Sequence, residues 1–260
     1  MKLDEQNIPD TCGISVHNSQ HEVEQTPELI KKLGLRQETF VSNGTTLPYC
    51  EKVIGQELPE QPVLIMVLHG AGSVGHDNFL QIRLPAEPLI RFLEKKKKKY
   101  ILLFPQCDVD HQWVDVPWSS TSHTLPETPS KYMSAALELL DEKTREHLPR
   151  KRAAIGISMG GYGVWDMACR RDIDMLGVMC GGADTACADK FKDTRVCMYH
   201  GAEDTVVPTS RSRDMAKALE NAGCRNFIYK ELCGVKHNAW DSFLFDDTAL
   251  PWLFDEQGND

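Results

Sequence analysis

The stretch Ile155-Gly156-Ile157-Ser158-Met159-Gly160-Gly161-Tyr162-Gly163 restricts the fold more than any other part of the chain. A short apolar run, Ala153 to Ile157, leads into a serine with a glycine two places before it and another two places after. Val164, Trp165, Met167 and Ala168 follow at helix-like spacing. The pattern predicts a strand, a sharp turn and a helix, with Ser158 at the tip. The backbone of such a turn is strained, and no side chain fits easily at Gly156 or Gly160. The turn lifts the serine hydroxyl clear of the sheet, and the Met159 amide faces the same space. Glycine is common enough for this spacing to arise by chance, so its context decides what it means.

The context is a regular alternation of strands and helices. Val63–Leu68 is apolar without alternation, which predicts a strand buried on both faces in a mainly parallel sheet. Tyr100–Phe104, Ala153–Ile157, Met175–Cys180, Arg195–Tyr199 and Phe227–Leu232 read as further strands, with helical patterns near 86–99, 129–146, 159–171 and 208–222. Asn43-Gly44 joins two candidate strands, Gln37–Ser42 and Thr46–Ile54, and predicts an antiparallel hairpin ahead of the parallel sheet. Thr26-Pro27 followed by Leu29, Ile30 and Leu33 predicts a short helix, stopped at Gly34. Residues 1–36 therefore read as an N-terminal extension, loose up to residue 25. Residues 37–260 read as a single domain of the α/β class. The run Lys95–Lys99 reads as a solvated helix end, where cations suit the dipole.

Composition narrows the surroundings. The net charge of −9 argues against nucleic acid and anionic membrane surfaces as partners. No apolar stretch reaches bilayer-spanning length, and residues 1–25 lack the apolar core of a signal peptide. The nine cysteines are odd in number, scattered and free of CxxC pairs, which suggests reduced thiols and a cytoplasmic location.

In open α/β sheets, ligands bind beyond the carboxyl ends of the strands, and the candidate reactive residues cluster there. A serine hydroxyl needs a base, a histidine supplies one near neutral pH, and a carboxylate orients that histidine. Ser158 is followed in order by Asp204, in Gly201-Ala202-Glu203-Asp204, and by His237, in Gly234-Val235-Lys236-His237. This is the chain order expected for a nucleophile elbow. Asp184 and Glu203 are rival acids, and Asp204 could instead cap the helix near Pro208. His200, at a strand end, reads as structural. Oxyanion donors would be the amides of Met159 and of Ala71 in the glycine-rich His69-Gly70-Ala71-Gly72. Neither GxxxxGK[ST] nor GxGxxG occurs, which lowers a phosphate-cradling reading of that loop. No zinc pattern is present, and His69 with His76 lacks a third ligand, so neither metal nor cofactor is expected.

Five blocks carry a resemblance to a known superfamily: His69-Gly70-Ala71-Gly72, Pro105-Gln106-Cys107 with Trp113, Gly156 to Trp165, His200 to Pro208, and Gly234 to Trp240. Over about residues 37–254 the chain resembles the α/β-hydrolases. Within them it is most similar to the bacterial phospholipase/carboxylesterase and "predicted peptidase" group, near feruloyl and acetyl esterase-like enzymes. Dienelactone hydrolases are relatives with a cysteine nucleophile, and Ser158 departs from them. The resemblance implies an α/β-hydrolase fold with Ser158 as nucleophile, Asp204 as acid and His237 as base. It also implies an aromatic-lined substrate pocket near Gly70, with Trp113 and Trp240 as the best matches, although either could be packing. The expectation is a carboxylesterase-type serine hydrolase acting on short acyl or aryl esters through an acyl-enzyme. A peptidase or acyl transferase on the same triad is the alternative, and a non-catalytic binding protein on this fold a third reading. A homodimer is left open.

Overall fold

A computed structural model describes residues 28–255. The loose arm expected over residues 1–25 and the Thr26-Pro27 cap lie outside the described residues. Helix α1 (Glu28–Leu33) stops at Gly34, whose φ of 60° is left-handed and suits glycine. Strands β1 (Arg36–Ser42) and β2 (Thr45–Ile54) form the expected antiparallel hairpin. Asn43 and Gly44 between them have φ of 47° and 75°, as a tight two-residue turn requires.

Strands β3 (Val63–Leu68), β4 (Tyr100–Pro105), β5 (Lys151–Ile157), β6 (Met175–Met179), β7 (Arg195–Gly201) and β8 (Phe227–Leu232) extend the sheet. Among the described residues the order is β1-β2-β4-β3-β5-β6-β7-β8. The pairs β1/β2 and β2/β4 are antiparallel, and the pairings from β4 through β8 are parallel. The helices are α2 (Ala86–Glu94), α3 (Lys131–His147), α4 (Met159–Arg170), α5 (Ser210–Asn221), α6 (Trp240–Phe245) and α7 (Ala249–Phe254).

Strand β3 shows why its sequence lacks alternation. Leu64, Met66 and Leu68 join the core shared with α3, α4 and α5. Val63, Ile65 and Val67 join the other core, shared with α1, α2, α6 and α7. Alternate residues of a strand point to opposite faces, so both must be apolar when helices cover both sides. Each such side chain contributes about 1.5–3 kcal/mol on burial.

One predicted helix is too long. Helix α2 ends at Glu94 rather than near Lys99, and Lys97 takes φ of 51°. Like charges four residues apart oppose a helix through the lysine run. Lys96 instead pairs with Asp255 at 2.6 Å and lies over the Phe92 ring.

The strand order reverses beside β3. The chain steps from β3 outward to β4, then returns to place β5 on the other flank of β3. The loops leaving β3 and β5 therefore diverge and open a crevice at the carboxyl ends of the strands. Those two loops carry Gly70-Ala71-Gly72 and Ser158.

Candidate active site

The turn after β5 is built by close backbone contacts. Ser158 has φ of 54° and ψ of −114°, a strained conformation for a non-glycine residue. A Cβ on Gly156 would stand 2.1 Å from the Gly160 carbonyl oxygen. One on Gly160 would stand 2.0 Å from the carbonyl oxygen of Leu68. These contacts allow no side chain, and they press the start of α4 against the end of β3. The Ser158 amide donates to Met179 O at 2.8 Å, and its carbonyl accepts from the Gly161 amide at 2.8 Å. The strained residue is thus held from both sides.

His237 stands between the serine and an acid. Its Nε2 lies 2.8 Å from Ser158 Oγ and its Nδ1 lies 2.7 Å from Asp204 Oδ2. A carboxylate beside Nδ1 places the proton there, so Nε2 accepts from the serine hydroxyl. The backbone brings these loops together closely: a Cβ on Gly201 would meet Lys236 O at 1.9 Å. The His237 ring also packs edge-on against Trp240, with centroids 5.5 Å apart.

Asp204 lies inside this junction. Its Oδ1 accepts the amides of Val206 and Val207 at 2.8 and 3.0 Å, so it caps a turn and faces His237 at once. His200 approaches Oδ2 with its Nε2 at 3.2 Å. Burial pushes the carboxyl upward, but hydrogen bonds from His200, His237 and the two amides outweigh it and hold the group well below the usual carboxylate range. The rival acids are engaged elsewhere or exposed. Asp184 accepts from the amides of Leu125 and Ala186, and Glu203 faces solvent.

The glycine-rich loop lies against the elbow. A Cβ on Gly70 would be 3.6 Å from the Ser158 Cβ. Ala71 opens a short 3-10 turn (Ala71–Ser73) and Met159 opens α4. The first amides of a helical turn have no acceptor within it, so both are available as donors. The loop is braced from behind by residues whose part the sequence did not disclose. The buried His69 ring accepts the Cys107 amide at Nε2 (2.9 Å) and donates from Nδ1 to Gly70 O (2.7 Å). Burial lowers its pKa to about 4, which keeps it neutral at pH 7. With both nitrogens engaged, it is no metal ligand. Gln106 donates from Nε2 to Ser73 O at 3.2 Å and Asp77 Oδ1 at 2.9 Å, and accepts the Asn78 amide at 2.7 Å.

A cleft of about 1430 Å³ opens over Ser158 and His237, with Gly70, Ala71, Trp118 and Trp240 among its walls. Trp113 is not one of them, contrary to the pocket role expected for it. It is fully buried, its Nε1 donates to His69 O at 3.1 Å, and its ring meets His69 edge-on. Ser130 Oγ donates to its carbonyl at 2.7 Å. Trp113 therefore packs behind the loop while Trp118 lines the cleft. Cys180, Asp204 and His237 each place a ligating atom within 4.8 Å of the others. Burial raises the Cys180 thiol to about 12, so it lacks the thiolate a metal would need, and the other two side chains already bond each other.

This topology and elbow define an α/β-hydrolase. The phospholipase/carboxylesterase family model matches residues 48–246, and the chain belongs to that family. It is similar to a thermostable esterase of known structure, with 27% identity and a TM-score of 0.76 over 85% of this chain. It spans 62% of that esterase's length. It is also similar to Est1E from Butyrivibrio proteoclasticus, with 17% identity, a TM-score of 0.56, and coverage of 80% of this chain and 92% of that one. An acylaminoacyl peptidase shares the fold with 13% identity and a TM-score of 0.55, over 78% of this chain and 37% of its own. The search of curated proteins returns no match.

Proposed function

We propose that the protein is a serine hydrolase that cleaves carboxylic esters with short acyl or aryl groups. The observation that carries this reading is the continuous line from Ser158 Oγ through His237 to Asp204, with contacts of 2.8 and 2.7 Å. His237 takes the hydroxyl proton as Ser158 attacks the ester carbonyl. The amides of Met159 and Ala71 stabilise the oxyanion that develops. His237 then gives the proton to the departing alcohol, which leaves an acyl-enzyme. Water, deprotonated by the same histidine, releases the acid and restores the serine. Asp204 stays ionised throughout and stabilises the imidazolium.

Cys50, Cys107, Cys169, Cys180, Cys187, Cys197 and Cys224 are free thiols, in keeping with a reducing, cytoplasmic setting. No helix among the described residues is long and apolar enough to cross a membrane. The small-molecule ester is the proposed partner.

Labelling with a fluorophosphonate probe, together with turnover of an ester panel that includes amide and alcohol-acceptor arms, tests this proposal. Labelling and ester cleavage are expected, and Ser158→Ala should abolish both, with a rate loss of about 10⁴-fold or more. Failure of the folded protein to label, or labelling that survives Ser158→Ala, refutes it.

A further inference from the structure

Part of the cleft over Ser158 is walled by charged side chains that the proposed chemistry does not use. These are Lys32 from α1, Arg83 from the turn before α2, and Glu87 and Arg91 from α2. Three cations face one carboxylate. Glu87 Oε1 is shared: Lys32 Nζ lies 3.7 Å from it, and Arg91 pairs with the same atom. Arg83 is left over. Its main-chain amide bonds to Leu80 O at 3.3 Å. Its guanidinium has no acidic or hydrogen-bonding partner among the described residues, and its Nε is buried without one. The chain does not lack acids, having 38 against 29 basic residues. Other arginines find them: Arg170 with Asp166, Arg171 with Asp141, Arg213 with Glu231. Arg83, at the wall of the cleft, pairs with none of these acids. Arg83 is half-buried, and a cleft-lining guanidinium without an acid keeps its charge for an anion that enters.

We infer that the cleft takes esters bearing an anionic group, a carboxylate or a phosphate, and that Arg83 is the side chain that anchors this group. The planar fork of a guanidinium matches both anions with paired N–H donors. Lys32 and Arg91 share the single Glu87 carboxylate, which offsets one of their two positive charges. The remaining positive field draws an anion into the cleft and weakens as salt screens it. The inference rests on the serine hydrolase reading, since it names the substrate class of that site.

The test compares three activated aryl esters of matched length: 4-nitrophenyl butyrate, the mono-4-nitrophenyl ester of glutaric acid, and a phosphonate-bearing counterpart. Wild-type protein should turn over at least one anionic ester with a kcat/KM roughly tenfold above that of the neutral one, about 1.4 kcal/mol. The better of the two identifies the anion. Arg83→Gln should abolish this preference and leave the neutral ester within about twofold, and Arg83→Lys should keep part of it. A wild-type preference for the neutral ester over both anionic ones overturns the inference, and that comparison needs no variant. An equal loss on all three esters in Arg83→Gln overturns it too. Fluorophosphonate labelling separates the two proposals. Protein that labels but fails the anion comparison is a hydrolase without this site, whereas protein that does not label loses both.

Discussion

His200 Nε2 stands 3.2 Å from Asp204 Oδ2, the same oxygen that His237 holds from the other side. The His200 ring is fully buried. Its Nδ1 lies 2.7 Å from Ser212 Oγ, and its Nε2 also lies 3.1 Å from Val207 O. Two acceptors beside Nε2 put the ring proton there, and Nδ1 then accepts from the serine. Asp204 is thereby fixed in orientation as well as in charge. His200→Leu removes the donor and should let the carboxylate rotate, lowering kcat by up to about 10²-fold while KM changes little, since small displacements at a reacting site have effects of that size. His200→Gln keeps a donor near Nε2 and should recover much of the loss. A KM effect as large as the kcat effect, or no rescue by glutamine, would show that the ring serves packing alone.

Two kinds of group should make stability depend on pH, in separate windows. Burial lowers His69 to about 4, and burial with the nearby Arg211 charge does the same to His123. In the unfolded chain these rings take up protons near pH 6.5. The unfolded state therefore binds more protons between pH 6.5 and about 4, and stability falls as pH drops through that range. For the fully buried His69 the loss at acid pH is roughly 3 kcal/mol. Asp204 works lower down. Its folded pKa is depressed, so its contribution is present above the ordinary carboxylate value near 4 and disappears as pH falls beneath it. Urea denaturation from pH 7 to 4 should show the first decline, and His69→Asn should flatten it. The same variant leaves the Cys107 amide without its acceptor, so it should also be less stable at pH 7 by about 1–3 kcal/mol. A wild-type stability that stays level across the range would count against the buried neutral rings.

Ser158, Asp204 and His237 could be read from the chain because each follows a strand and their order has one common geometry. The division of β3 between two cores was likewise written in its unalternating apolar run. Side-chain direction in the long segment after β4 was not. That segment has no period, so nothing in the sequence says that Trp113 turns inward to His69 while Trp118 faces the cleft. His200 lies four residues before Asp204, but that spacing becomes a contact only once the turn at Val206 and Val207 folds the carboxylate back. An unpaired Arg83 is invisible for a similar reason: a sequence counts charges but does not say which acids come near.

The glycines of the elbow and of the facing loop should respond differently to a methyl group. Gly160→Ala would drive Cβ into the Leu68 carbonyl, a contact that only backbone movement can relieve. The expected result is insoluble protein or a loss of several kcal/mol, in the range of severe backbone strain. Gly72 lies in open space, with no atom within 4 Å of the added Cβ. Gly72→Ala should keep the melting temperature of the wild type within a degree or two, the range of neutral surface changes. Thermal melts of both variants decide this, and a strongly destabilised Gly72→Ala would contradict the loop geometry.

Two tryptophans a few residues apart should separate stability from substrate binding. Trp113 is fully buried behind the glycine-rich loop, so Trp113→Ala removes a large side chain from packed surroundings and leaves the His69 carbonyl without its donor. A loss of about 3–5 kcal/mol is expected from the cavity. Trp118 contributes an aromatic wall to the cleft and only partly joins the core. Its carbonyl accepts from Tyr162 Oη at 2.9 Å, a bond the backbone keeps in any variant. Trp118→Ala should therefore melt close to wild type and raise KM for aryl esters by roughly tenfold, the value of one lost apolar contact. Short alkyl esters, which reach less of the wall, should be affected less. Chemical denaturation and steady-state kinetics on the same two variants make the comparison. If Trp118→Ala is destabilised as much as Trp113→Ala and its KM stays fixed, the aromatic wall of the cleft has been assigned to the wrong residue.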